Sequence, residues 1–336
     1  MTVPNDDIIK SIFNITPDGF EETSLNLFRY QYEHNKIYRQ YCDALKIDME
    51  IIKSLKEIPF LPIQFFKTKK VCTTVFKPEL VFESSGTTGS VNSKHFVKEA
   101  SLYIQSFLKT FNIFYGDIND WCIIGLLPSY LERQNSSLVY MVNELVSKSG
   151  NANSGFYLDD FKKLHDTLLA NETAKQPTLL IGVTYALLDF AEQNKMELSF
   201  TTVMETGGMK GRREEITREE VHKKIQQQLG IPAVNSEYGM TELLSQAYSS
   251  KHGIFTCPPW MKILIRAEDD PFELFAAKNI HTKYVSGAVN IIDLANIYSC
   301  SFLATDDIGK LYANDNFEII GRLDNSDMRG CGLMIL

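Results

Sequence analysis

The chain has 336 residues, 44% hydrophobic and 23% charged, proportions ordinary for a soluble globular protein of one large α/β body or two to three smaller units. A net charge of −8, with no basic run carrying interleaved aromatics, excludes a general nucleic-acid surface. No apolar stretch is long enough to span a bilayer, and the acidic start Met1-Thr2-Val3-Pro4-Asn5-Asp6-Asp7 lacks the basic-then-apolar plan of a signal peptide, so a cytoplasmic protein is expected.

Residues 1–75 read as helical. Leu25, Phe28 and Tyr32 recur at helical spacing, as do Tyr38, Tyr41 and Leu45, and such aromatic stripes are core faces. At Leu80-Val81-Phe82 a short buried strand begins, followed by Glu83-Ser84-Ser85-Gly86-Thr87-Thr88-Gly89. Small residues let consecutive N–H groups turn toward one point, and the hydroxyls add donors, so the loop suits an anion such as polyphosphate. A Walker loop would need a lysine after its second glycine, and here Ser90 follows Gly89. The stretch reads equally well as a hydrophilic turn.

From there short apolar runs alternate with helical patterns. Trp121–Leu127, Leu179–Gly182 and Thr201–Met204 read as strands, the last ending in Glu205-Thr206-Gly207-Gly208. Thr217 to Leu229 is the clearest helix: Thr217 and Glu220 form a capping box, and Gly230 then Pro232 end it. Ile231–Val234 reads as a strand before Asn235-Ser236-Glu237-Tyr238-Gly239-Met240-Thr241-Glu242, with a helical run continuing through Leu244 and Tyr248. After Pro258, Met261–Arg266, Val289–Leu294, Lys310–Tyr312 and Phe317–Ile320 read as strands without intervening helices. The expected fold is α/β, parallel-rich sheets with helices plus a smaller β-rich lobe.

Three segments besides the glycine loop carry chemistry. In the first, Tyr238 offers a flat face for a purine, Gly239 a close turn, Thr241 a hydroxyl for phosphate and Glu242 a hard oxygen for Mg²⁺, although a helix start explains the same residues. In the second, Thr305-Asp306-Asp307-Ile308-Gly309, a short carboxylate beside a glycine turn suits ribose hydroxyls, or is an Asx-type turn. In the third, Gly321-Arg322-Leu323-Asp324, the arginine holds an oxygen through its fork of donors, or sits in an exposed turn. His95 beside Lys94 is a candidate contact for phosphate or substrate, and its plain reading is a lone solvated histidine after a loop. The six cysteines are scattered without a Cys-x-x-Cys pair, which points to neither zinc nor a disulfide framework.

The order and spacing of these segments say more than any one of them. Ser-Ser-Gly-Thr-Thr-Gly, then Tyr-Gly-Met-Thr-Glu about 150 residues on, then Thr-Asp-Asp-Ile-Gly, then Gly-Arg-x-Asp resembles the adenylate-forming superfamily of acyl-CoA synthetases and related ligases. Within it, the short chain, Pro258-Pro259-Trp260 and the ending Met328-Arg329-Gly330-Cys331-Gly332-Leu333 look most like the acyl-protein synthetases, the long-chain-fatty-acid–protein ligases of bacterial luciferase operons.

The resemblance implies an adenylation domain over residues 1–321, in which a helical segment (residues 1–75) is followed by an α/β segment (76–257) and a β-rich segment (258–321). Residues 322–336 would be a hinge remnant and tail, with the mobile C-terminal domain of most relatives absent. It implies ATP and Mg²⁺. Ser85, Gly86, Thr87, Thr88 and Gly89 would wrap the β- and γ-phosphates, with Lys94 nearby, although Lys94 stands further behind the glycine than is common in the superfamily. Gly207 and Gly208 would lie along the adenine with Tyr238 stacked on it; Gly239, Met240, Thr241 and Glu242 would meet the α-phosphate and metal. Asp307 would bind the ribose, supported by Arg322.

The implied reaction joins a fatty or other carboxylic acid to AMP, then transfers the acyl group to a thiol. Cys331 is the candidate acceptor, with Arg329 beside it to favour the thiolate; its plain reading is a packed terminal cysteine. An acyl-accepting or reductase protein is an expected partner. The alternatives are an acyl- or aryl-CoA ligase and a non-catalytic nucleotide- or acyl-binding module.

Overall fold

The computed structural model describes residues 11–85, 91–128, 134–158, 160–207, 216–267 and 269–323. Helices Phe20–His34 and Lys36–Ala44 carry the aromatic stripe. Phe28 and Tyr38 are wholly buried and both meet Phe302, Tyr38 stacked at 6.1 Å and Phe28 edge-on at 6.2 Å. Asn35 starts the second helix by accepting from the N–H groups of Ile37 and Tyr38, each at 3.1 Å. The helical reading of this N-terminal region misses one strand, β1 (Leu61–Pro62), which pairs parallel with a strand 242 residues further on, Leu61 opposite Leu303. Two residues ending in proline leave no periodic signal.

Next comes a hairpin of β2 (Leu80–Glu83) and β3 (Lys94–Val97), antiparallel, with Glu83 opposite Lys94. The pairing brings the two ends of the glycine loop side by side.

β4 (Cys122–Leu126), β5 (Gly155–Phe156), β6 (Thr178–Val183), β7 (Thr201–Thr206), β8 (Asn235–Tyr238) and β9 (Ala247–Ser249) build a six-stranded sheet in the order β5-β4-β6-β7-β8-β9, parallel except for β9. β4 and β6 are buried at every position, as strands covered by crossover helices on both faces must be. The helix Arg218–Leu229 between β7 and β8 has its capping box of Thr217 and Glu220, and Gly230 closes it at φ 63°.

Here the structure corrects two expectations. The strand is not Ile231–Val234 but the following motif itself, and no helix runs through Tyr248; a turn leads into β9 instead. Leu244, Ala247 and Tyr248 recur at helical spacing, yet they are buried along with Leu243 and the residues between, so the periodicity has no solvent face to mark.

β10 (Met261–Arg266), β11 (Leu274–Phe275), β12 (Tyr284–Asp293), β13 (Phe302–Tyr312) and β14 (Phe317–Arg322) make the β-rich lobe after Pro258. Their order is β1-β13-β12-β10-β11, with β14 on β13, all antiparallel except β1. β12 and β13 start well before the apolar runs that announce them. Thr305–Gly309 and Gly321-Arg322 therefore lie within strands, not in the turns that the sequence also allowed. No helix among the described residues is long and apolar enough to cross a membrane.

Candidate active site

Five separate contacts converge on the segment 235–242. The parallel register of β7 and β8 sets Glu205 opposite Ser236 and Thr206 opposite Glu237. The Ser236 hydroxyl donates to Glu205 Oε1 at 2.8 Å, and the Thr206 hydroxyl donates to Glu237 Oε2. Tyr238 donates its hydroxyl to Asp307 Oδ2 at 2.8 Å. His95 Nδ1 lies 2.9 Å from the Thr241 carbonyl, and the Ser93 hydroxyl donates to Glu242 Oε1. Residues from positions 93 to 307 thus meet one eight-residue stretch, at the C-terminal edge of the parallel strands where α/β sheets place their ligands.

At the loop end of this cluster, Ser84 and Ser93 close the glycine loop at its base. Ser93 N–H donates to Ser84 Oγ at 2.9 Å, and Ser84 N–H donates to the Ser93 carbonyl at 3.1 Å. The fully buried Glu242 carboxylate faces this closure, and its carbonyl accepts from Asn296 Nδ2 at 2.8 Å. Ser85 is exposed, and Lys94 pairs across the hairpin with Glu83 at 3.1 Å.

At the other end, Asp307 stands opposite Arg322 in the β13–β14 ladder, and Arg322 Nε reaches Asp307 Oδ1 at 3.1 Å. Arg322 Nη2 also lies 3.7 Å from Asp306 Oδ2, while Gln64 donates to Asp306 from the N-terminal region. The Tyr238 ring is 8% exposed, packed against Phe255 at 5.8 Å and Phe317 at 5.4 Å, so little of its face is open. Gly207 turns at φ 68° and its carbonyl accepts from the Thr184 hydroxyl at 3.0 Å. A Cβ on Gly239 would stand 2.4 Å from Glu237 Oε1, so the turn there needs a glycine or a displaced carboxyl. Met240 is half-buried against the core.

Burial sets the charges. It pushes His95 down to about 4, so the ring is neutral and Nδ1–H donates to Thr241. It pushes Glu237 up to about 7, against the Thr206 hydroxyl, because the carboxyl end is enclosed although the residue is only half-buried overall. Burial also opposes the Glu205 anion, but His222 and Arg218, each at 3.5 Å, hold that carboxyl below its ordinary value. A shallow concavity of about 410 Å³ lined by Asn153, Asp160, Lys163 and Asp166 shares no residue with this cluster.

A profile described as Acyl-protein synthetase, LuxE matches residues 17–336. The chain belongs to that family. As a member of it, the chain is a ligase. It is 24% identical over 334 residues to a long-chain-fatty-acid–luciferin-component ligase of Vibrio harveyi, covering 91% of this chain and 84% of the relative. The ligase of the same name from Photorhabdus luminescens is 39% identical over 66 residues, 19% of this chain and 56% of the relative. Among solved structures, ATP-bound MatB from Rhodopseudomonas palustris superposes with TM-score 0.54 at 14% identity, over 74% of this chain and 50% of MatB. The luciferase-like enzyme of the Zophobas morio mealworm gives 0.52 at 17% identity, over 87% and 70%. These likenesses show the N-terminal-domain fold of adenylate-forming enzymes, and the chain spans about half the length of MatB.

Of the residues expected to act, Glu242, Tyr238, Thr241, Asp307 and Arg322 are joined through the contacts above. Gly86, Thr87, Thr88, Gly89, Gly208 and Cys331 lie outside the described residues. His95 is not a solvated side chain, as a lone histidine after a loop is expected to be, but 1% exposed. Sequence reasoning missed Ser93, Glu205 and Glu237. Ser93 alone had a local cue, as a small polar residue mirroring Ser84 across the hairpin.

Proposed function

We propose that this protein condenses a carboxylic acid, most directly a fatty acid, with ATP, releases pyrophosphate, and passes the acyl group from AMP to a protein cysteine. One observation supports this above others: the segment 235–242 is bonded directly to the glycine-loop hairpin, to the Thr206 strand end and to the Asp307–Arg322 pair. A site for triphosphate, base and ribose of one nucleotide needs those pieces side by side.

In this reading Ser85, Gly86, Thr87, Thr88 and Gly89 hold the β- and γ-phosphates, with Lys94 supplying charge close by. Gly207, Gly208 and Tyr238 border the adenine; Gly239, Met240 and Thr241 meet the α-phosphate; Asp307 takes the ribose hydroxyls while Arg322, 3.1 Å from its Oδ1, holds its carboxylate in place. The acid's oxygen attacks the α-phosphorus as pyrophosphate leaves. No side-chain base is required, since a carboxylic acid is ionised at neutral pH. The protein's work is alignment and charge neutralisation.

Among the described residues no group of three or more acidic, histidine or cysteine side chains forms a metal cage. Mg²⁺ needs none: one carboxylate plus phosphate oxygens suffices, and Glu242, set at the closure of the phosphate loop, is the carboxylate in place. When bound there, the ion neutralises phosphate charge.

In the second half-reaction the Cys331 thiolate attacks the acyl carbon, forming a thioester and releasing AMP. The five described cysteines are free thiols, and burial raises each of them, which sets them apart from a reactive thiolate and fits a reducing, cytoplasmic setting. A reductase or other acyl-accepting protein is the partner this chemistry calls for.

The test is ATP–pyrophosphate exchange across fatty, short-chain and aromatic acids with Mg²⁺, followed by acyl labelling of wild type and Cys331→Ser. Exchange by both proteins with stable label only on wild type is expected. A thioester found on coenzyme A in place of protein, or silence across the panel, overturns the proposal.

A further inference from the structure

Asp293 ends β12, is fully buried, and belongs to none of the motifs that announce the site. Its Oδ2 accepts from the N–H groups of Leu244 at 2.8 Å and Ser245 at 3.0 Å. Its Oδ1 accepts from the Ser245 hydroxyl at 2.6 Å and from Ala295 N–H at 3.1 Å. Four donors on one buried carboxylate are an arrangement made for the anion, and an uncompensated one would be costly there.

The stretch that Asp293 grips begins two residues after Glu242, on the turn that connects β8 to β9. Leu244 and Ser245 have no helix or strand to satisfy their N–H groups, so the carboxylate of the antiparallel sheet does so for the loop of the parallel one. A second support comes from the same loop of chain: Asn296 Nδ2 donates to the Glu242 carbonyl, and Gln31 Nε2 in turn holds the Asn296 and Ile297 carbonyls at 2.9 and 3.1 Å. Trp260 Nε1 lies 3.1 Å from both Ser245 Oγ and Ser106 Oγ, which pins the turn to the helix Ala100–Tyr115.

We infer that Asp293 is a positioning residue for the phosphate end of the site, setting through Leu244 and Ser245 where Thr241 and Glu242 stand against the loop closure at Ser84 and Ser93. The kinetic consequence rests on the ligase reading; the structural consequence does not.

Burial pushes the Asp293 acid up to about 6 against its four donors, so it takes up a proton within a range the protein can be studied in. Tyr103 from the helix Ala100–Tyr115 and Cys257 before β10 are the titratable groups that feel its charge; burial raises both, so they stay neutral there. Glu237, at about 7, also acts on Tyr103, and neutral His95 bonds the Thr241 carbonyl at the start of the same turn.

The chain has two tryptophans, so Trp121→Phe leaves Trp260, bonded to Ser245, as sole reporter. Its emission should titrate with a midpoint near pH 6 in W121F and in W121F/E237Q, and should not do so in W121F/D293N. In exchange assays D293N should raise KM for Mg·ATP on the order of tenfold or more, with a smaller change in kcat. Should D293N fail to fold, Ser245→Ala removes one of the four donors and carries the same assay in milder form. A Trp260 titration that survives D293N, or an unchanged KM in folded D293N or S245A protein, overturns the inference. Silence of wild type toward every acid would sink the ligase reading alone, since the tryptophan titration would still decide the role of Asp293.

Discussion

In the parallel sheet, β4 and β6 are buried from end to end and apolar apart from Thr178, and the polar groups of the site stand at the end of β7, along the short β8 and beyond it. In the antiparallel sheet the polar groups sit on the strands themselves. Arg266 on β10 donates to Asn290 Oδ1 on β12 at 2.8 Å and to the Thr305 carbonyl on β13 at 3.2 Å, and Asp307 on β13 pairs with Arg322 on β14. One sheet is a scaffold that presents loops; the other is itself a wall of the site. The parallel sheet should therefore answer to packing changes with lost stability and intact chemistry, while the antiparallel sheet should lose both together.

The largest effect is expected from Asp307→Ala. The carboxylate accepts from Tyr238 and pairs with Arg322, whose side chain is only 13% exposed. Removing one partner of a buried ion pair costs about 3–5 kcal/mol, and Asp306 at 3.7 Å from Arg322 should keep the loss near the lower figure. Urea unfolding should show that loss, and exchange should fall on the order of a hundredfold or more with a raised KM for ATP. Full stability with full exchange would mean that the two sheets do not differ in the way described.

Glu237, on β8 of the parallel sheet, tests the site side of that sheet through pH. Its folded value of about 7 lies above the ordinary 4.5, so its contribution to stability is complete below pH 4.5 and lost as pH rises through 7. Glutamine carries no such proton. Wild type minus E237Q stability should therefore be greater at pH 5 than at pH 7.5, by at most roughly 3 kcal/mol and less if the half-buried side chain relaxes. His95 works in the opposite sense, since its stability is present above 6.5 and lost as pH falls toward 4, which is why the difference and not the wild-type curve is diagnostic. A flat difference between the two proteins would show that Glu237 is ordinarily solvated.

A pure scaffold change is available at Gly182 in β6. A Cβ there would lie 2.8 Å from Leu187 Cγ and 3.0 Å from Leu126 Cβ, both in the packed layer between sheet and helix. Gly182→Ala should cost about 1–3 kcal/mol by overpacking. Exchange per folded molecule should be unaltered, and a shifted KM for ATP would blur the line between scaffold and site.

The same division explains what the sequence disclosed. Strands β4, β6 and β7 announce themselves as apolar runs, and the helix Arg218–Leu229 is bounded by local signals, a capping box and Gly230, which need no distant partner. The site loops of the parallel sheet were legible because turns demand glycine, serine and threonine. Inside the antiparallel sheet, by contrast, Asp307 and Arg322 each resembled a residue in a turn, because only the register of β13 on β14 makes them neighbours. Ser93 with Glu242, and Asp293 with Ser245, are separated by 149 and 48 residues, and the types involved are common on any surface. The misreading of 241–248 has the same origin: burial on every side replaced the amphipathic face that helical spacing implies.

The smallest expected effect lies where the glycine-loop closure meets Glu242. Ser93 is fully buried, donates its hydroxyl to Glu242, and stands 3.0 Å from Ser84 Oγ, so Ser93→Ala removes one donor from a buried carboxylate without opening a large cavity. The backbone closure persists, because Ser84 N–H still donates to the residue-93 carbonyl. A stability loss of about 1–2 kcal/mol is expected from the deprived carboxylate. Binding should register it more clearly than folding: the loop closure and Glu242 would no longer be tied at the side chain, so KM for Mg·ATP should rise several-fold while kcat falls less. Threonine at 93 restores the hydroxyl and should recover most of the affinity if the bond to Glu242 is what matters. Failure of threonine with normal folding would point instead to the tight packing around Ser84, and would move the critical contact from the carboxylate to the loop itself.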